Sequence, residues 1–162
     1  MATDSCHQAA AELAVLSTRL TRIAIRFAEV NGAQLQLSWP SYRALRVLQR
    51  RGSSRMSDLA QALMLSKQTT SQTVDGLVRA DLVTRGEDPD DRRHMVVAPT
   101  THGLARLQAY ENQFDQHLEG LLVDLEEPET ARIASALQQL NMEISAKRDA
   151  GYFRAAREHT HA

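Results

Sequence analysis

The chain has 162 residues, a single cysteine and a formal net charge of −1, with 43% hydrophobic and 24% charged residues. That length suits one domain with a real core and excludes two large ones, and the lone Cys6 excludes an internal disulfide framework and fits a reducing compartment. The start, MATDSCHQAAAELAVL, has no basic run ahead of an apolar one, and no stretch approaches the roughly 18 apolar residues of a membrane span, so a soluble cytoplasmic protein with no membrane partner is expected.

A net charge near zero argues against nucleic acid, but the average conceals an asymmetry. Residues 38–103 carry 10 Lys and Arg against 7 Asp and Glu, an excess of three positive charges, while the remainder carries 9 against 13. The middle of the chain is its basic part.

From Ala9 to Ala28, Leu13, Leu16, Leu20, Ile23 and Phe27 recur at spacings of three and four, which predicts an amphipathic helix ended by Asn31-Gly32. A second helix is expected in SWPSYRALRVLQRRG. Ser38 would cap it, Pro40 sits in its first turn, Leu45 and Leu48 face inward, Gly52 stops it, and Arg43, Arg46, Arg50 and Arg51 decorate its outer side. Two short helices follow. Ser57 would cap the first, with Leu59 and Leu63 buried, and Ser66 the second, in which Thr70, Val74, Leu77 and Val78 share one face opposite Gln68, Gln72, Asp75 and Arg79.

After Asp81 the period changes from 3.6 to 2, and LVTRG and MVVAP read as two antiparallel strands. The loop between them carries Asp88, Asp90, Asp91, Arg92 and Arg93 beside Pro89, more charge than a turn requires, which suggests a use outside the loop. Thr100 or Thr101 should cap a long helix running through Leu125, with Leu104, Leu107, Phe114, Leu118 and Leu121 on one side. EEPET would break it, and a last helix would turn Ile133, Leu137, Leu140 and Ile144 inward before a frayed tail, 151–162.

Helix, turn, helix and charged hairpin, in this order, is the layout of a winged helix-turn-helix. A helix fits the major groove of DNA, where a Gln side chain matches the acceptor and donor of adenine, and a thin hairpin reaches the adjacent minor groove. The stretches LSKQTTSQTVDGLVRADLVTR and DPDDRRHMVVAPTTHG resemble the MarR family of bacterial transcription regulators, and the likeness runs from the first helix to about Arg148. It implies a mainly α fold with a small β-hairpin wing: an N-terminal dimerisation helix over 1–37, a winged DNA-binding domain over 38–103 and C-terminal dimerisation helices over 104–162. It also implies an obligate homodimer on a pseudo-palindromic operator of double-stranded DNA, usually a repressor, released when a small aromatic or anionic effector wedges between the dimer helices and the winged module. The Leu-rich terminal helices agree with the dimer.

The resemblance places Ser66, Lys67, Gln68, Thr69, Ser71 and Gln72 on the exposed turns of the recognition helix. Arg93 matches the wing arginine that pairs with an acid on that helix, here Asp75, and Arg92 beside it is the candidate for insertion into the minor groove. Gly76 stands where the family often has a long polar side chain, and Pro99 where it usually has leucine. Trp39 and Tyr42 lie near the family's effector site, though aromatics on an amphipathic helix also serve as core. The stripe of Arg19, Arg22 and Arg26 suits an anionic ligand or plain solvent. Neither a metal nor a cofactor is expected, because the six histidines form no ligand spacing of known type, and no catalytic motif speaks for an enzyme. The alternatives are a winged module that binds protein instead of DNA, and a redox sensor built on Cys6, which would precede the first helix without a neighbouring tyrosine.

Overall fold

The computed structural model describes residues 2–35, 37–88, 91 and 93–149. Met1–Gln116 form one compact unit and His117–Ala162 another. Arg92, Pro89, Asp90 and the tail 151–162 lie outside the described residues. The elements in chain order are α1 (Ala2–Leu35), α2 (Trp39–Arg51), β1 (Ser54–Arg55), α3 (Met56–Leu63), α4 (Lys67–Arg79), β2 (Val83–Glu87), β3 (Met95–Pro99), α5 (Thr101–Glu119) and α6 (Glu127–Asp149). Among the described residues the protein is therefore mainly helical with one small antiparallel sheet.

Helix α1 is longer than its apolar period suggests, beginning at Ala2 so that Cys6 lies on it, and running through Asn31-Gly32 to Leu35. The Asn31 amide finds its partner inside the helix, donating to the Phe27 carbonyl at 3.0 Å, so it does not act as a stop. The chain turns just beyond, where the Leu37 N–H donates to the Gly32 carbonyl at 3.1 Å. Only the last part of α1 is packed: Ala24, Phe27 and Ala28 are buried, whereas every residue from Asp4 to Arg22 is exposed.

Helix α2 follows the expected plan. The Ser38 hydroxyl accepts the Ser41 N–H, Pro40 sits in the first turn, and Gly52, at φ +76°, sends its N–H to the Leu48 carbonyl. Leu45 and Leu48 are fully buried. Its arginines divide: Arg50 and Arg51 are exposed, but Arg43 and Arg46 are not outer decoration. The Arg43 guanidinium donates to the Leu63 carbonyl at 2.9 Å, satisfying one of the open carbonyls at the end of α3, and Arg46 is paired with Glu111 of α5.

Helix α3 starts one residue early and Ser57 does not cap it, because Arg55 occupies the cap position and the Ser57 hydroxyl turns to Asp58. Leu59 and Leu63 are buried as expected. A non-glycine residue ends this helix in the left-handed region, Met64 at φ +56°, with its N–H on the Ala60 and Gln61 carbonyls. Helix α4 ends in the same manner: Asp81, at φ +56°, donates to the Val78 carbonyl, and Leu82 donates to that of Leu77. On α4 the buried face is Thr70, Val74 and Leu77, while Val78 is exposed.

The sheet has three strands in the order β1-β3-β2, one more than the period-2 signal revealed. Strand β1 has two residues, Ser54 and Arg55, opposite Val97 and Val96, too short and too polar to show an alternation. The hairpin pairs Val83 with Pro99 through Glu87 with Met95, so Pro99 closes β3 at its last residue. The core of this unit joins Phe27, Leu37, Leu45, Leu48, Leu59, Leu63, Leu77, Leu82, Val97, Leu107 and Tyr110. Burial of each leucine contributes roughly 1.5–3 kcal/mol.

Thr100 makes the α5 cap: its hydroxyl accepts the Gly103 N–H at 2.8 Å and donates to the Asp81 carbonyl at 2.8 Å. The helix ends at Glu119, not at Leu125, and residues 120–124 form turns. Pro128 does not break a helix there but lies in the first turn of α6, where a missing N–H costs nothing. On α6 the expected inward residues face outward: Ile133, Leu137 and Ile144 are exposed and Leu140 is half-buried. Leu121 is exposed as well. Periodicity shows which residues share a face, not what covers it.

Candidate nucleic-acid interface

The N-terminus of α4 is set by Ser66, whose hydroxyl accepts the Thr69 N–H at 3.0 Å and bonds the Thr69 hydroxyl at 2.8 Å. Thr70 is buried and returns its hydroxyl to the Ser66 carbonyl. This capping occupies Ser66 and Thr69 and leaves Lys67, Gln68 and Gln72 exposed on the outer face. Ser71, half-buried, directs its hydroxyl at Asp75, 3.5 Å away. At Gly76 an added Cβ would meet nothing closer than the Arg79 guanidinium at 3.9 Å, so the helix tolerates a side chain there, and the glycine costs about 1 kcal/mol of helix propensity.

The charged loop is used mostly by the protein itself. Asp88 is buried, and its Oδ2 takes a hydrogen bond of 2.6 Å from Arg55 Nε of β1. That bond and the carboxylate charge hold the Arg55 guanidinium above its usual pKa. Asp91 accepts the Arg93 N–H at 3.1 Å through one oxygen and faces His94 Nδ1 at 3.0 Å with the other. Two of the three loop carboxylates therefore shape the wing.

Asp75 does not pair with Arg93. Its Oδ1 lies 2.9 Å from Nη2 of Arg85, on β2, so the wing is tied to α4 through a strand residue and Arg93 is left exposed at the tip. Both partners are partly exposed, and a pair of this kind contributes about 1 kcal/mol or less to folding. Its value lies in orienting the hairpin. A cleft of about 370 Å³ opens between the two elements, lined by Lys67 and Ser71 of α4, Arg93, His94 and Met95 of the wing, and Arg55.

A second feature lies at the start of α2. Trp39 stacks on Tyr42 with ring centres 5.4 Å apart, Tyr42 on Tyr110 at 4.5 Å, and Phe27 meets Tyr110 edge-on at 5.3 Å. Trp39 and Tyr42 are half-buried and line a hollow of about 250 Å³ with Arg43, Arg46, Val47 and Leu63. Burial raises the pKa of Tyr42 and, with help from the charge of Tyr42, pushes Tyr110 up to about 12. Among the described residues the Tyr110 hydroxyl is buried without a hydrogen-bond partner. No group of three or more His, Cys, Asp and Glu among the described residues could hold a metal ion, and Cys6 is exposed on α1.

Arg55, Arg85, Tyr110 and Glu111 were not foreseen from the sequence. Arg85 is ten positions from Asp75 and Arg55 is 33 from Asp88, separations that carry no local signal. Tyr110 could have been found, since it lies three residues beyond Leu107 on the buried face of α5.

A helix-turn-helix whose second helix opens outward beside an anchored antiparallel hairpin is a winged helix-turn-helix. Residues 35–94, the stretch that holds the winged module, match the sequence model of the MarR family. No curated protein sequence is significantly similar to the chain. Among solved structures, a mutant of MarR from E. coli superposes with a TM-score of 0.69 at 21% identity, covering 79% of this chain and 95% of that one. A mutant of S. aureus MepR gives 0.65 at 22%, covering 83% and 97%. The E. coli MarR mutant complexed with operator DNA gives 0.58 at 21%, covering 80% and 93%. No helix among the described residues is long and apolar enough to cross a membrane.

Proposed function

We propose that the protein is a cytoplasmic, dimeric, sequence-specific DNA-binding transcription regulator, a repressor released from a pseudo-palindromic operator by a small-molecule effector. The observation that carries this reading is the outward face of α4, where Lys67, Gln68 and Gln72 stand exposed beside a wing held by the Asp75–Arg85 and Arg55–Asp88 pairs. The match of residues 35–94 to the MarR family and the operator complex of a structural neighbour support it. Lys67, Gln68 and Gln72 read base edges or phosphates, with Ser66, Thr69 and Ser71 framing the helix start. Arg93 reaches the minor groove with Arg92 beside it, and Asp75 positions the wing. The hollow at Trp39 and Tyr42, with its two arginines, suits an aromatic anion as effector.

Duplex binding should weaken with salt, each phosphate contact adding about −0.9 to the log–log slope. Titration of labelled genomic fragments at roughly 50 mM salt tests this; a dimer with no duplex affinity there turns the reading to a protein-binding winged module. Gln72→Ala should lose roughly 1–3 kcal/mol at the preferred site alone, and equal loss on random duplex would reduce Gln72 to a backbone contact.

The wing pair gives a further expected result. Asp75→Ala and Arg85→Ala each weaken operator binding, and the double variant is little worse than either, because both break one element. Arg93→Ala adds independently to Asp75→Ala. Full additivity between Asp75 and Arg85 in the four-way titration would show that this pair does not set the wing.

A further inference from the structure

When a helix lies in the major groove and a hairpin in the adjacent minor groove, one sugar–phosphate strand must pass between them. In this protein the space between α4 and the wing is the cleft of about 370 Å³, and its lining brings together cations from three elements: Lys67 of α4, Arg93 of the wing and Arg55 of β1. Ser71 and His94 add polar groups, and among the described lining residues there is no carboxylate. Arg55 differs from the other two because its Nε is already committed to the buried Asp88, yet 40% of its side chain remains exposed. A guanidinium has five N–H donors in one plane, so holding a carboxylate by one edge leaves donors for a second anion.

We propose that this cleft takes a phosphodiester group of bound duplex DNA, with Arg55 donating to a phosphate oxygen while its Nε holds the wing through Asp88. The inference rests on the DNA-binding reading and extends it. Arg55 becomes a contact outside both the recognition helix and the wing tip, and it makes wing position and backbone contact depend on one side chain.

The test is a titration of full-length protein on an operator fragment and on a random duplex of equal length, at salt from roughly 50 to 200 mM. R55A should bind both duplexes several-fold more weakly, with a log–log slope less steep by about 0.9. R55Q keeps a donor for Asp88 without the charge and should show the same loss of slope, so the measurement stands if R55A does not fold. D88N frees the wing but retains the cation, and should weaken the operator while leaving the slope unchanged. A wild-type slope in R55A or R55Q, with wild-type protein binding normally, overturns the phosphate contact. Wild-type protein that binds neither duplex overturns the DNA-binding reading itself.

Discussion

Gly103→Ala should destabilise the winged unit by about 3 kcal/mol or more and lower its melting temperature by roughly 10 °C or more. A Cβ at this position would stand 2.0 Å from the Leu82 carbonyl oxygen and 2.8 Å from its carbon, distances no side chain can hold. The obstacle is backbone, and that backbone is committed: Leu82 accepts the Thr100 N–H at 3.1 Å and has its own N–H on Leu77. Alanine would gain about 1 kcal/mol of helix propensity in α5, which the overlap outweighs. Because the end of α4, the start of β2 and the start of α5 meet here, a shift to relieve the clash would also move the wing. Thermal unfolding followed by circular dichroism gives the answer; a melting temperature within about 2 °C of wild type would mean that the Leu82 carbonyl retreats freely.

If the protein is the proposed dimer, the double variant Leu16→Glu, Leu20→Glu should convert it to monomer and reduce operator affinity by about 100-fold or more. Leu13, Leu16 and Leu20 form a stripe on α1 that is about 40% exposed in the single chain, and α6 exposes Ile133, Leu137 and Ile144. Apolar stripes of this length on exposed helices mark an interaction surface. In the proposed dimer two glutamates would bury unpaired charge, while in the monomer they are exposed and favourable to helix. The fold of each chain should therefore survive, and the loss on DNA should come from separating two half-site contacts that act together. Light scattering and an operator titration on the same samples check both parts. A wild-type protein that is already monomeric, or a double variant that remains dimeric, would refute the interface.

The α2 and α4 caps were legible because they are local: Ser38 and Ser66 lie three residues before the N–H groups they accept, and Gly52 supplies the conformation its turn needs. The sides of α2 and α4 that carry Leu45, Leu48, Val74 and Leu77 could also be read, since helical spacing requires no knowledge of partners. The ends of α3 and α4 were harder. Met64 and Asp81 adopt the left-handed region without being glycine, because the hydrogen bonds that close each helix outweigh the modest steric cost.

The wing shows the same division. Its strands, its charge and its position after α4 followed from the sequence, as did the exposure of Lys67, Gln68 and Gln72. Which acid holds which arginine did not. Asp75 could be matched with Arg93 by analogy, but the hairpin register places Arg85 within 2.9 Å of it, and β1, with no pattern of its own, brings Arg55 to Asp88. The fate of the apolar stripes on α1 and α6 was equally undecided by their spacing. Period and capping act within a few residues and are written in the local order of side chains. Pairing across 10 or 33 positions depends on how rigid elements dock, and only the packed tertiary structure decides it.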